Sequence, residues 1–335
     1  MMRVVVHLVK THPPSSLYLN QMPSKSRENE YEMASRSIAA YIERSSHFFA
    51  VCPTVTNGDH DDVTHDYGSW LQSSGCRFEL FALLLSRHDR PPPIVRNVMT
   101  RASGNLRTNF DCCFNALSIV VAQVVRGGEA TPFMISPTAA MPRSPGTGRM
   151  YCCDHNHVTI DAAGVPQSIP CMKAKMAPVI LKLLRSLREY HFGRDELLSF
   201  RMFTALTPLL TSGLSSEGMP PPPRSVNEFL TQNRFSKPDD ETDASGFTPL
   251  VFAAISGNID VVRELITTHH VDVNARVRVA MPKFGIEKRL HALALAGALC
   301  PQDKVHEMVS FLLASGSDPN LTFPGSGGTP LMAAV

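Results

Sequence analysis

Near the carboxyl end of the chain, apolar positions recur with a helical period in two short segments separated by a glycine. In the first segment Leu250, Ala253 and Ala254 share one face, which predicts a helix that packs closely on a neighbour. Gly257 suits the left-handed conformation that ends a helix, and Asp260 suits the cap of the next one. The apolar stripe of that second helix consists of Val261, Val262, Leu265 and Ile266. The pattern therefore predicts two short helices joined by a tight turn.

A similar but less regular pattern follows. Leu290–Ala294 and the apolar positions between Val305 and Leu313 predict a second helix pair. The segment 275–287 is long enough to predict an extended finger between the two pairs. Gly327–Val335 repeats the opening of the first pair and predicts the start of a third.

The first helix pair resembles an ankyrin repeat across Gly246–Asn274. The resemblance rests on the Thr-Pro-Leu start, on the glycine between the helices and on the closing Val-Asp-Val-Asn. The second pair departs from the family at Lys288 and Arg289, which stand in place of Thr-Pro. The resemblance implies a solenoid of stacked repeats that holds another macromolecule. Because such a stack needs about three repeats, we expect the chain to be part of a longer array.

In the first third of the chain, short apolar runs alternate with amphipathic segments. His47–Cys52 and Pro93–Val98 predict strands, whereas Glu28–Arg44, Cys76–Ser86 and Asp111–Val125 predict helices. Alternation of this kind is typical of a parallel sheet that is covered by helices.

The order of Ile42–Pro53 and Cys76–Leu80 resembles that of TIR domains, whose fold is a flavodoxin-like parallel sheet. In the TIR enzymes that cleave NAD, the glutamate of the corresponding helix is catalytic, and the matching position here is Glu79. The opening strand of the family is absent unless Val4–Val9 is its remnant, so the domain is N-terminally incomplete. That departure favours a scaffold over an enzyme.

Composition divides the chain into four segments. They are a TIR-like α/β domain at 1–128, a loop and hairpin linker at 129–172, a helical cap region at 173–240 and ankyrin repeats at 241–335. The predicted fold class is α/β plus all-α: a truncated flavodoxin/TIR-like parallel sheet layered with helices, then a helical linker and an ankyrin-repeat solenoid. The helices of the cap region would shield the apolar face of the first repeat, and an independent partner-binding module is the alternative.

Composition and charge narrow the function classes. A chain of 335 residues with 43% hydrophobic and 19% charged residues is typical of about two folded domains. The net charge of +2 gives no support to nucleic-acid binding, and no apolar run approaches the ~20 residues of a membrane helix. Eight cysteines without a secretory leader indicate the cytoplasm or the nucleus. We expect no cofactor.

One cluster carries soft metal ligands: Cys152, Cys153, His155, His157 and Cys171. Zinc sites usually show two regularly spaced ligand pairs, which this stretch lacks. A hairpin with strands at 149–153 and 157–160 and with partly buried cysteines is the alternative interpretation.

The function predicted from these features is that of a protein–protein interaction scaffold or adaptor of the kind used in signalling. The predicted partner-contacting residues are Phe247, Phe252, Ser256, Asn258, Lys283, Phe284 and Arg289. For Phe252 and Phe284, burial against neighbours explains the sequence equally well. The alternative function is a TIR-like NAD glycohydrolase in which Glu79 is the acid and the repeats are a targeting module. A third interpretation is a zinc-dependent adaptor built on the cysteine and histidine cluster.

Overall fold

The computed structural model describes part of the chain in two compact units, Met1–Val179 and Ile180–Val335. The described residues are 4–8, 47–51, 55–56, 64–65, 72–86, 94–96, 119–122, 132–135, 144–160, 164–168, 171–214, 221–240, 244–321 and 329. The predicted helix Glu28–Arg44 lies outside them. The predicted third repeat start at Gly327–Val335 also lies outside them, apart from Thr329.

Within its described residues the first unit contains a five-stranded sheet and two separate two-stranded ribbons, the second of which follows the cysteine-rich stretch. The strands are β1 (Val4–Leu8), β2 (His47–Val51), β3 (Val55–Thr56), β4 (Thr64–His65), β5 (Ile94–Arg96), β6 (Ile119–Ala122) and β7 (Pro132–Ile135). The order across the sheet is β1-β2-β5-β6-β7, in which only β7 runs antiparallel to its neighbour. β3 and β4 form the first ribbon.

The sequence pattern locates β2 and β5 but misassigns β6. The predicted helix Asp111–Val125 is wrong over Ile119–Ala122, which pairs with β5 in parallel and with β7 in antiparallel fashion. Ile119, Val120 and Val121 are β-branched, and such residues lose little rotamer freedom in a strand.

The first helix of the described residues, α1 (Ser74–Leu84), buries an apolar face that includes Phe78 and Phe81. The backbone amide of Ser74 donates to the carbonyl oxygen of Arg149 at 3.0 Å. The buried Arg77 donates to the carbonyl oxygen of Ser144 at 3.2 Å. These bonds hold α1 against the segment 144–149, directly before the cysteine-rich stretch.

The cysteine-rich stretch does not form the predicted hairpin. Residues 151–154 form a single helical turn, α2 (Tyr151–Asp154), where a strand at 149–153 was expected. The strand that follows, β8 (Val158–Ile160), pairs in antiparallel fashion with β9 (Pro166–Ser168) instead. Cys171 then immediately precedes the long helix α3 (Met172–Gly193).

The second unit is a stack of helix pairs. Its further helices are α4 (Leu197–Leu210), α5 (Val226–Asn233), α6 (Pro249–Ser256), α7 (Ile259–Thr267), α8 (Ala292–Leu299) and α9 (Val305–Ala314). Along one row of the stack α4 packs on α6 and α6 on α8, and along the other row α5 packs on α7 and α7 on α9. The pair α4–α5 therefore occupies the place of a repeat at one end of the stack.

Buried Arg201 joins the two helices of the first pair. Its Nε donates to the carbonyl oxygen of Asn233 at 2.8 Å, and its Nη2 donates to that of Arg234. The guanidinium lies 3.8 Å from the ring centroid of Phe235. Because the carbonyls at the end of a helix lack partners within the helix, this side chain closes α5 on α4.

Polar bonds also tie successive pairs together. Asn258 caps α7 by accepting from the amide of Val261 at 3.2 Å, and its Nδ2 donates to the carbonyl oxygen of Pro223 at 2.7 Å. Asp260, the predicted cap, lies within the first turn of α7 instead. The side chain of Asn274 donates to the carbonyl oxygen of Gly316 at 3.0 Å and accepts from the amide of Asp318 at 2.9 Å.

The predicted finger is present as a hairpin between α7 and α8. The amide of Val277 donates to the carbonyl oxygen of Leu290 at 2.9 Å, and the amide of Met281 donates to that of Ile286 at 2.8 Å. The base of the hairpin passes so close to Gly246 (φ +77°) that a Cβ atom there would lie 2.4 Å from a backbone oxygen. Glycine is therefore required at that position.

Candidate functional site

A cleft of 610 Å³ opens at the base of the finger. Its lining residues are Asp239, Thr248, Val271, Asp272, Asn274, Ala275, Arg276, Val277, Arg278, Lys288 and Arg289. Four of them carry a positive charge and two carry a carboxylate, so the cleft favours a negatively charged ligand. Among the four basic residues, Arg276 is half-buried and the other three are exposed.

Basic side chains meet in the cleft because the finger is an antiparallel hairpin. Arg276 and Arg278 lie on the first strand of the finger, and Lys288 and Arg289 lie on the second. The amide of Arg289 donates to the carbonyl oxygen of Val277 at 2.7 Å, which places the two strands side by side. Arg289 adopts a left-handed conformation with φ +68°. Residues more than ten positions apart in the chain thus line one cleft.

The three phenylalanines predicted to contact a partner are buried. Phe247 and Phe252 have no exposed surface, and Phe284 is 2% exposed. Phe252 lies between the rings of Phe247 and Phe235, at centroid distances of 5.7 and 5.8 Å. The prediction of surface contacts is therefore wrong for these three residues, since aromatic neighbours from the stack enclose them.

The finger folds back onto the stack through Phe284. Its ring makes an edge-to-face contact with Phe203 of α4, with centroids 5.2 Å apart at 71°. The ammonium group of Lys283 lies 5.6 Å from the centroid of the same Phe203 ring. Both residues therefore anchor the tip of the finger to α4.

Ser256 and Asn258 have structural roles in the turn between α6 and α7. The hydroxyl of Ser256 donates to the carbonyl oxygen of Ala253 at 2.9 Å. Both ends of the Asn258 amide are used in the cap and in the bond to Pro223. Arg289 is thus the one predicted partner-contacting residue that lines the cleft.

Sequence reasoning missed Arg276, Arg278 and Lys288 as a group. The signal that could have found them is the paired basic residues on either side of the predicted finger. A hairpin would bring such residues together, but the prediction treated the finger only as a long loop.

Glu79, the predicted catalytic residue of the TIR-like alternative, lies in the second turn of α1. It is half-buried, and its neighbours in the helix, Phe78 and Leu80, are buried. The backbone and side-chain bonds of Ser74 and Arg77 fix α1 against the segment 144–149. These contacts give the helix a packing role.

The structure brings together four of the five predicted metal ligands. The ligand atoms of Cys152, Cys153, His157 and Cys171 all lie within 4.8 Å of one another. His155 is exposed and does not belong to this group. None of these cysteines forms a disulfide.

The cluster shifts the acidity of two of its thiols in opposite directions. Burial and the neighbouring sulfur of Cys152 raise the pKa of Cys153 to about 11. Burial also acts to raise the pKa of Cys171, but hydrogen bonds from His157 and from the amides of Lys173 and Ala174 outweigh it and lower the pKa to about 7. The start of α3 therefore favours a thiolate at Cys171.

Comparison with protein families confirms the ankyrin interpretation for one helix pair. Residues 245–278 match the ankyrin-repeat family, so this segment, which holds α6, α7 and the first strand of the finger, is an ankyrin repeat. No family match supports the TIR-like resemblance of the amino-terminal region. A search of curated proteins finds no match. Among the helices that the structure describes, none is both long and apolar enough to cross a membrane.

Proposed function

We propose that this protein is an interaction scaffold whose ankyrin-type stack binds an acidic segment of another protein. The observation that carries the proposal is the cleft at the base of the finger, where four basic side chains outnumber two carboxylates. Ankyrin repeats usually mediate protein binding, and residues 245–278 form one.

The position of the cleft supports this role. The finger is anchored at its base by Gly246 and at its tip by Phe284, so the basic side chains are held on a fixed backbone. A pre-ordered site loses little conformational entropy when a ligand binds. We therefore place the partner's carboxylates beside Arg276, Arg278, Lys288 and Arg289.

The cysteines support a reducing compartment, which we propose to be the cytoplasm or the nucleus. Five cysteines lie among the described residues, and none of the five forms a disulfide. Neighbouring thiols remain unoxidised in compartments where glutathione and thioredoxin keep them reduced. A signalling adaptor would work in either compartment.

The proposal is tested by fluorescence anisotropy of the full chain with a labelled glutamate-rich peptide. The matched variants are Lys288→Glu in the cleft and Lys182→Glu on the exposed side of α3. A rim charge contributes roughly 0.2–1 kcal/mol, and its reversal replaces an attraction by a repulsion of similar size. Lys288→Glu should therefore weaken binding about 2- to 30-fold, and clearly more than the control does.

Binding should also weaken with salt, because exposed charges are screened. Equal weakening by both variants would show that net charge alone, and not the cleft, attracts the peptide. A tighter complex with a nucleic acid of equal charge would contradict the proposal as well.

A further inference from the structure

We propose that Cys152, Cys153, His157 and Cys171 form a structural zinc site. The three thiols and the imidazole are the ligand types that zinc prefers in closed structural sites, which are four-coordinate and tetrahedral. Four protein ligands leave no position for a water or a substrate, so the site would stabilise the fold and would not catalyse a reaction.

The distances within the cluster match the edges of a tetrahedron around zinc. The Sγ atom of Cys153 lies 3.9 Å from those of Cys152 and Cys171, and 3.7 Å from Nε2 of His157. With Zn–S bonds of about 2.3 Å and a Zn–N bond of about 2.0 Å, tetrahedral angles require about 3.8 Å between sulfurs and about 3.5 Å from sulfur to nitrogen. The remaining pairs lie within 4.8 Å, a separation that small side-chain rotations close.

The backbone between the ligands is folded so that it brings them together. Asn156 and His157 both adopt left-handed conformations, with φ +50° and +61°. The amide of His157 donates to the carbonyl oxygen of Cys152 at 2.6 Å, which turns the chain back over α2. A left-handed residue other than glycine costs on the order of 1 kcal/mol, and such strain persists where the surroundings require it.

The fourth ligand comes from a different element. The hairpin of β8 and β9 returns the chain to Cys171, the residue directly before α3. Its thiol accepts hydrogen bonds from the amides of Lys173 and Ala174 at the helix start. A bound ion would therefore join α2, the left-handed turn and the first turn of α3.

The sequence spacing hides this site. Two ligands are adjacent, the third follows four residues later and the last comes after fourteen more, so no regular pair of Cys-x-x-Cys motifs is present. Cys152 and Cys153 nevertheless reach the same point because α2 ends immediately after them and the turn brings His157 to the same side.

The test measures metal bound to the full chain purified without a metal-affinity tag. Inductively coupled plasma mass spectrometry should find about one zinc ion per chain. After replacement by Co²⁺, the visible spectrum should show the intense bands of tetrahedral cobalt with thiolate ligands. This spectrum reports ligand geometry independently of stability.

Two histidine variants distinguish a residue that binds zinc from a nearby residue that does not. His157→Asn should weaken zinc binding by at least about 10-fold, whereas His155→Asn, at an exposed position two residues away, should leave it unchanged. Asparagine tolerates the left-handed conformation at position 157, so the variant keeps the turn. Cys171→Ser should lose zinc, and Cys300→Ser, a buried cysteine outside the cluster, should not.

Three results would overturn the proposal. The first is a wild-type chain whose zinc content does not exceed that of Cys171→Ser. The second is a disulfide between Cys153 and Cys171, found by mass spectrometry of the chain after its free thiols have been alkylated in a cytosolic or nuclear extract. The third is bound iron with the visible absorption of an iron–sulfur cluster.

Discussion

Replacement of Phe252 by alanine tests whether this residue is a core side chain or a contact for a partner. Phe252 has no exposed surface and lies against the rings of Phe235 and Phe247. Truncation of a fully buried phenylalanine costs about 3–5 kcal/mol, from lost transfer free energy and from the cavity that remains. Because a domain has a free energy of unfolding of about 5–15 kcal/mol, the variant should be close to unfolding but still mainly folded.

The assay is hydrogen exchange of the full chain followed by mass spectrometry. Peptides from α6 and α7 report the second unit separately, so a two-state transition of the whole chain is not needed. A loss of 3–5 kcal/mol should speed exchange of their slowest amides about 100- to 5,000-fold, since every 1.4 kcal/mol is tenfold. Phe192→Ala is the matched control, because Phe192 is 47% exposed and should change the stability by about 1 kcal/mol or less.

Unchanged protection in Phe252→Ala would refute this reasoning. If the same variant also lost binding to a partner, Phe252 would act as an interaction residue and would have to be accessible in solution. Equal acceleration by Phe252→Ala and Phe192→Ala would instead show that burial does not decide the effect.

Three further predictions concern single residues. Gly257→Ala should destabilise the stack by about 1–2 kcal/mol in urea melts, because φ is +69° and a Cβ atom would lie 2.9 Å from Lys304 Cδ. Gly193→Ala is the control and should not destabilise the stack, because a Cβ atom there meets no atom within 4 Å. Burial lowers the pKa of His291, so the unfolded chain binds more protons once the pH falls below the usual histidine value of about 6.5. The free energy of unfolding should therefore be constant above that pH and fall below it, and urea melts of His291→Gln should show a weaker decline. Incubation with NAD should release no nicotinamide, and release that Glu79→Ala abolishes would restore the enzyme alternative.

The ends of the helices in the second unit could be predicted from the sequence because their signals are local. Gly257 ends α6 in the left-handed conformation, and Ser225 caps α5 by accepting from the amide of Glu228 at 3.3 Å. Such interactions span four residues or fewer, so one sequence contains all the partners. The cap of α7 is Asn258 and not the predicted Asp260. Both residue types cap helices well, so only the backbone conformation decides which of the two is the cap.

The side of a helix that is covered by a neighbour could not be predicted in the same way. Phe284 is buried by Phe203, a residue of α4 about eighty positions away in the chain, and Phe252 is buried by Phe235. The pair α4–α5 lacks the ankyrin pattern, so its place as a cap on the first repeat was expected but the register of its contacts with that repeat could not be predicted. From the sequence, surface contact and burial were therefore equally good interpretations of Phe252 and Phe284.

The same limit applied to the cysteine cluster, where the decisive feature is the backbone conformation. A hairpin at 149–160 would have placed Cys152 and Cys153 on opposite faces of one strand. The helical turn α2 instead brings their sulfurs to 3.9 Å, and the left-handed Asn156 and His157 bring Nε2 of His157 to 3.7 Å from Sγ of Cys153. Neither residue type is a strong signal of that conformation, although asparagine and histidine are the non-glycine residues that tolerate it among the best. Ligands that are irregularly spaced in sequence thus lie in one compact group, and zinc binding by His157 but not by His155 would show that the turn, and not the composition, creates the site.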